Sequence, residues 1–208
     1  MRFIVAMRNP VERLWSDFVY FTTIANSERV TPYLFHEQVL KQLQWWQRCV
    51  VMHSRRTCLY GTHVTDMAEL RVHHTDCWIE RYDFTVCAAF RLGLYVFFIE
   101  DWLESVPRDA FLFLTTERYS EDVADVINTQ VLYFLGLQPF SGAEEERMRN
   151  KRREYPLKRN AKSRLEKFHF TMTSMLNETR HLLMDFYRPS NRRLAQLLNN
   201  DDFLWYDK

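Results

Sequence analysis

Three groups of residues in this chain have types and spacings that could do chemistry. The first lies at the beginning, where Phe3 to Phe18 reads FIVAMRNPVERLWSDF. Arg8 ends an apolar run there, and Ser16 follows within the same stretch. An Arg guanidinium presents a bidentate fork to a phosphate, and a Ser hydroxyl adds a donor. The second group is a basic run: Arg147, Arg149, Lys151, Arg152, Arg153, Lys158, Arg159, Lys162 and Arg164. Glu144, Glu145 and Glu146 precede it, so it reads either as a solvated helix and loop of mixed charge or as a cluster that gathers polyanions by counter-ion release. The third group is Cys58, His63, His73, His74 and Cys77, whose spacings match no common zinc pattern. No metal site is expected, and the histidines are read as ordinary surface or hydrogen-bonded residues.

The elements around Arg8 and Ser16 follow from local rules. Phe3 to Met7 is an apolar run too short for a helix and reads as a buried strand. Asn9 and Pro10 then start a helix, Asn as N-cap and Pro at the first helical position, with Glu12 placed for a capping box. Val11, Leu14, Trp15, Phe18 and Phe21 form its apolar stripe, and Ser16 falls nearly opposite that stripe. Arg8 at the strand's carboxyl end and Ser16 on the helix can thus face one crevice, the place where open α/β sheets bind ligands.

Further along, Thr31-Pro32 caps a second helix with a face of Phe35, Val39, Leu43 and Trp46. Trp45 and Trp46 read as core, or as a platform for a sugar ring. No period is sustained from Val50 to Thr85, which reads as loop with short elements. Cys87 to Val106 is helical, with Phe90, Leu94, Phe97, Phe98, Trp102 and Val106 on one side, and Pro107 closes it. Phe111 to Leu114 is a second short strand, Glu117-Arg118-Tyr119 a turn, and Ser120 the cap of a helix ending at Gly136.

At 208 residues, with 47% hydrophobic and 15% aromatic residues and only 4 Gly, the chain reads as one helix-rich globular domain. A net charge of +1 excludes the global field of a nucleic-acid binder, and no nucleic acid is expected as partner. The four cysteines, Cys49, Cys58, Cys77 and Cys87, allow two disulfides in three pairings, or buried thiols. Asn177-Glu178-Thr179 is an N-glycosylation sequon and makes Asn177 a candidate glycan site in a secretory lumen. The longest apolar run, Leu92 to Ile99, is too short to span a bilayer, and no targeting segment is visible.

Arg8-x-Pro10-x-x-Arg13-x-x-Ser16-x-Phe18 resembles the 3′-phosphate-binding motif of sulfotransferases that use 3′-phosphoadenosine 5′-phosphosulfate (PAPS). In that family the first Arg and the Ser hold the donor's 3′-phosphate, which by position implies Arg8 and Ser16. Phe134-Leu135-Gly136-Leu137 resembles the family's helix ending, while Glu117-Arg118-Tyr119 departs at its middle residue from a Glu-Asp-Leu or Glu-Asp-Tyr element. Arg91-Leu92-Gly93-Leu94-Tyr95 and Trp102-Leu103 resemble the glycosaminoglycan branch. The tail Phe186-Tyr187-Arg188-Pro189-Ser190-Asn191 resembles the closing segment of Golgi carbohydrate sulfotransferases, where such a motif begins the last helix. The nearest branch is the N-acetylgalactosamine 4-sulfate 6-O-sulfotransferase type.

The resemblance implies an α/β, P-loop-like sulfotransferase fold: a short parallel sheet flanked by many helices, with its N-terminal part missing. Residues 1–208 are then one partial domain, with the 3′-phosphate strand-turn-helix at 3–18, a basic loop at 143–170 and C-terminal helices at 176–199. PAPS is the implied sulfuryl donor, and a sulfated glycosaminoglycan, chondroitin or dermatan sulfate with its GalNAc hydroxyls, the implied acceptor. The basic loop becomes a lid over donor phosphates and acceptor, with Lys151, Arg152 and Arg153 as further donor-binding candidates. The lysine-bearing 5′-phosphosulfate loop and the catalytic base are expected upstream of this chain, as is a Golgi membrane anchor. Without them, the first strand is expected to leave an exposed sheet edge. Tyr187 and Trp205 are expected as anchors of the last helix. The rival readings are a non-catalytic nucleotide- or glycan-binding module and a small-molecule kinase.

Overall fold

A computed structural model describes residues 1–24, 31–60, 89–154 and 174–205. Strand β1, Phe3–Met7, pairs in parallel with β2, Phe111–Thr115, in the register Phe3 to Phe111 through Met7 to Thr115. A parallel pair needs a long crossover, and helices supply it here. They are α1 (Pro10–Ile24), α2 (Pro32–Met52), α3 (Arg55–Tyr60) and α4 (Tyr95–Ser105). After β2 come α5 (Thr116–Glu121) and α6 (Val123–Val126), which runs through a π turn at Ile127–Val131 into α7 (Leu132–Leu135). Helices α8 (Gly142–Glu154) and α9 (Asn177–Leu198) follow, then a 3-10 turn at Asp201–Leu204.

The pleat of β1 sorts its side chains. Met7 is buried and Phe3 and Val5 pack against the core, while Ile4 and Ala6 on the other face are exposed. Among the described residues the sheet has two strands, so the far edge of β1 carries no partner strand. The core lies between the sheet and α1, α2, α4 and α9, with Leu14, Phe35, Val39, Phe90, Leu183, Tyr187 and Phe203 all fully buried. Each such large apolar side chain contributes about 1.5–3 kcal/mol by leaving water.

Several starts and stops follow the sequence rules. Thr31 Oγ1 accepts the Leu34 amide at 3.1 Å and caps α2, and Gly136 ends α7 with φ +71°. The disulfide joins Cys49 to Cys58, stapling α2 to α3; Cys77, Cys87, His63, His73 and His74 lie outside the described residues. Trp46 packs edge-on against Phe186, and the Arg91 guanidinium covers Trp45 at 5.4 Å. Arg91 is itself buried, which depresses its pKa, and its Nη1 donates to the carbonyls of Cys58 and Leu59.

Four expectations are corrected. The helix foreseen from Cys87 to Val106 breaks at Gly93, between a helical turn at 89–92 and α4. A Cβ on Gly93 would lie 2.6 Å from the buried Tyr187 ring, so the chain yields to that ring. Ser120 lies inside α5 and not at a helix start: Thr115 Oγ1 accepts from the Arg118 amide and Asp122 Oδ1 from the Asp125 amide, which moves the starts of α5 and α6 to those residues. The last helix does not begin near Pro189 but passes through it, from Asn177 to Leu198. Proline inside a helix loses a bond and costs about 3 kcal/mol. Burial of Tyr187, Asn191 and Leu194 around it, with an Arg193–Glu100 ion pair at 2.6 Å, holds the helix through that defect. The fourth correction, at Glu12, belongs to the site.

Candidate functional site

The β1–α1 turn is two residues long and gripped by two distant residues, Tyr95 and Glu117. Asn9 Oδ1 accepts the Val11 amide at 2.9 Å, and its carbonyl accepts the Arg13 amide at 2.9 Å, which starts α1. The Asn9 amide donates to Glu117 Oε1 at 2.9 Å. Glu117 Oε2 in turn accepts from Trp205 Nε1 at 3.2 Å. Tyr95 donates its hydroxyl to the Arg8 carbonyl at 3.0 Å, and its ring lies 5.9 Å from that of Trp205. Burial pushes the Tyr95 phenol pKa up, so it stays a neutral donor at physiological pH.

The capping box expected within α1 is therefore completed from elsewhere. Glu117, at the start of α5, accepts the Asn9 amide that Glu12 would have taken. Glu12 instead turns to Arg180 of α9, forming an ion pair through Nη1 and Oε1. A carboxylate beside a pinned amide is a charge-assisted bond, stronger than a neutral one, and it ties turn, second strand and chain end together.

With its backbone held, Arg8 leaves its side chain exposed and without an ion pair to the described residues. Ser16 is exposed on α1, on the side away from Val11, Leu14 and Phe18, which are buried. Arg13, the second arginine of the stretch, faces inward. It pairs with Asp17 at 2.8 Å, donates to the Ala89 carbonyl, and lies 5.8 Å over the Tyr95 ring. So an exposed cation and an exposed hydroxyl stand on a fixed backbone, while their neighbours serve the frame. That arrangement suits an oxyanion such as phosphate.

The other candidates stand apart. Lys151, Arg152 and Arg153 occupy the last turn of α8, and their side chains lie outside the described residues. The described contacts of α8 run to Asp122 through Arg149 at 3.1 Å and to Asn128 through Glu145, not to the Arg8 turn. Asn177 is exposed at the first position of α9. Among the described residues no cluster of His, Cys, Asp or Glu could hold a metal, and no helix is long and apolar enough to cross a membrane.

Sequence reasoning missed Glu117, Tyr95 and Arg180, and treated Trp205 as an anchor away from the site. Tyr187 is an anchor, fully buried with its hydroxyl on the Phe90 carbonyl at 2.7 Å. Trp205 instead touches Glu117 directly behind the Arg8 turn. A signal existed for Glu117, the acid at the end of the second strand, but nothing local says which amide it meets across the chain.

Carbohydrate sulfotransferase 15 of Homo sapiens is 32% identical over 209 residues, covering 98% of this chain and 31% of its own length. The Rattus norvegicus protein of the same name is 29% identical, again over 98% of this chain and 31% of its own. A Nototodarus sloanii protein with that name is 24% identical over 84% of this chain and 93% of its own length. The chain thus spans 31% of the length of the mammalian relatives. No solved structure gives a significant match. The sulfotransferase domain matches residues 1–184, from β1 into α9, and the chain belongs to the sulfotransferase domain family.

Proposed function

We propose that this chain carries the 3′-phosphate-holding part of a PAPS-dependent carbohydrate sulfotransferase, with Arg8 and Ser16 as the residues that hold that phosphate. The observation that carries the reading is the exposed Arg8 guanidinium on a turn fixed by Tyr95, Glu117 and Asn9, with Ser16 exposed on the helix that follows. Bound PAPS supplies the activated sulfuryl group. Arg8 binds the 3′-phosphate by a charge-assisted fork, Ser16 adds a hydroxyl donor, and the pinned turn orients both before the ligand arrives. The acceptor is a hydroxyl of a sulfated glycosaminoglycan, with GalNAc of chondroitin or dermatan sulfate the first to test. Support comes from the carbohydrate sulfotransferase names of the relatives. Lys151, Arg152 and Arg153 are proposed as donor contacts at the end of α8.

The compartment proposed is the Golgi lumen. The Cys49–Cys58 disulfide suits an oxidising lumen, and Asn177 is exposed for a glycan. Thr179 of the same sequon is fully buried, its hydroxyl 2.7 Å from His36 Nδ1. Glycosylation at Asn177 therefore has to precede docking of α9 on α2.

Titration calorimetry with adenosine 3′,5′-bisphosphate tests the site. Arg8→Ala loses a charge-assisted contact worth about 2–3 kcal/mol, and Ser16→Ala loses about 1 kcal/mol. Unchanged affinity in both variants overturns the assignment.

A further inference from the structure

The ion pair between Glu12 and Arg180 is unexplained by the frame just described. Glu12 has no task at the start of α1, because Glu117 takes the Asn9 amide. It stands one helical turn before Ser16, about 6 Å along the axis, and so shares the face that carries the hydroxyl. A carboxylate there repels any anion held by Arg8 and Ser16. Arg180 neutralises it from the first turn of α9.

The two side chains are 33% and 32% exposed, so a solute can reach them. Glu12 engages Nη1 of Arg180, and among the described residues the other donors of the guanidinium are left for a second oxyanion. The backbone beneath Arg180 is fixed: Thr179 and Leu183 are fully buried on either side, and the Arg180 amide is bonded to the Leu176 carbonyl. A rotamer change can carry the guanidinium from carboxylate to ligand with α9 unmoved.

We propose that Arg180 is a third cation for the 3′-phosphate, held by the Glu12 carboxylate in the free protein and transferred to the phosphate on binding. This rests on the reading of Arg8 and Ser16 as the phosphate site. Glu12 then acts as an internal stand-in for the ligand. Its competition lowers apparent affinity by the fraction of molecules in which Arg180 is occupied.

The test is a set of calorimetric titrations with adenosine 3′,5′-bisphosphate and adenosine 5′-phosphate, so that their ratio reports the 3′-phosphate. Glu12→Gln should tighten the bisphosphate about 3-fold, a gain that damage to the fold does not produce. Arg180→Ala should weaken it about 10-fold with little effect on the 5′-phosphate, the loss of one charge-assisted contact. The double variant Glu12→Gln, Arg180→Ala should recover only the share of that loss due to the uncovered carboxylate and stay weaker than the unsubstituted protein. If the double variant binds like Glu12→Gln alone, Arg180 acts only by cancelling Glu12 and the proposal fails. If Arg8→Ala loses affinity while Arg180→Ala does not, the proposal fails and the Arg8 site stands. If neither variant changes the ratio, the site reading itself is lost.

Discussion

Glu117 offers the sharpest test of how this site is held. Its carboxylate accepts the Asn9 amide at 2.9 Å and Trp205 Nε1 at 3.2 Å, joining three segments far apart in sequence. Replacing it with Ala removes both acceptors. Hydrogen bonds to a charged group contribute about 1.5–3 kcal/mol each, and the half-buried site lets water recover part of that, so about 3 kcal/mol is expected in total. For a domain of this size that lowers Tm by about 6–12 °C. Glu117→Gln keeps one acceptor oxygen but points an amide NH₂ at the second donor, so about half the loss is expected. Trp205→Phe deletes the indole donor while keeping most of the ring contact with Tyr95, and combined with Glu117→Gln it should show a coupling of about 1 kcal/mol. Differential scanning fluorimetry and urea unfolding of the unsubstituted protein and the four variants decide it. A shift below about 2 °C for Glu117→Ala, or strict additivity in the cycle, refutes the claim that Glu117 clamps the turn.

Three further outcomes are expected. Gly93→Ala forces a methyl to within 2.6 Å of the buried Tyr187 ring, and should cost about 1–3 kcal/mol in urea unfolding; a neutral result means the helix break has another cause. The Cys49–Cys58 bridge closes a short loop, sequence separation 9, and chain entropy assigns it about 2.6 kcal/mol; the Cys49→Ala, Cys58→Ala protein should lose about 5–10 °C of Tm, and no loss argues against the pairing. The Tyr60 phenol is pushed up to about 12 by burial, then by its bond to Asp101. Its pKa is higher folded than unfolded, so its stabilisation is complete below pH 10 and lost as pH rises through 12. Tyr60→Phe should flatten that alkaline decline in unfolding midpoint, and an unchanged slope removes the assignment.

The sequence alone determined the local grammar of this protein. The Phe3–Met7 run, the Asn9-Pro10 start, the Thr31 cap and the Gly136 stop depend on single residues and their immediate neighbours, and all appear where backbone and capping chemistry put them. The exposure of Arg8 and Ser16 was legible for the same reason: Arg8 follows the apolar strand and Ser16 stands off the apolar stripe of α1. Where it erred, a distant group had outbid a local one. Glu12 had the right position for a capping box, yet Glu117 reached the same amide from the start of α5. Gly93 sits in an unbroken helical pattern, and only the Tyr187 ring arriving from α9 breaks it. Pro189 looks like a helix start, but the burial around it outweighs the missing bond. Tertiary structure decided which partner each buried amide, ring and carboxylate met, because those contacts join residues tens of positions apart and no local period encodes them.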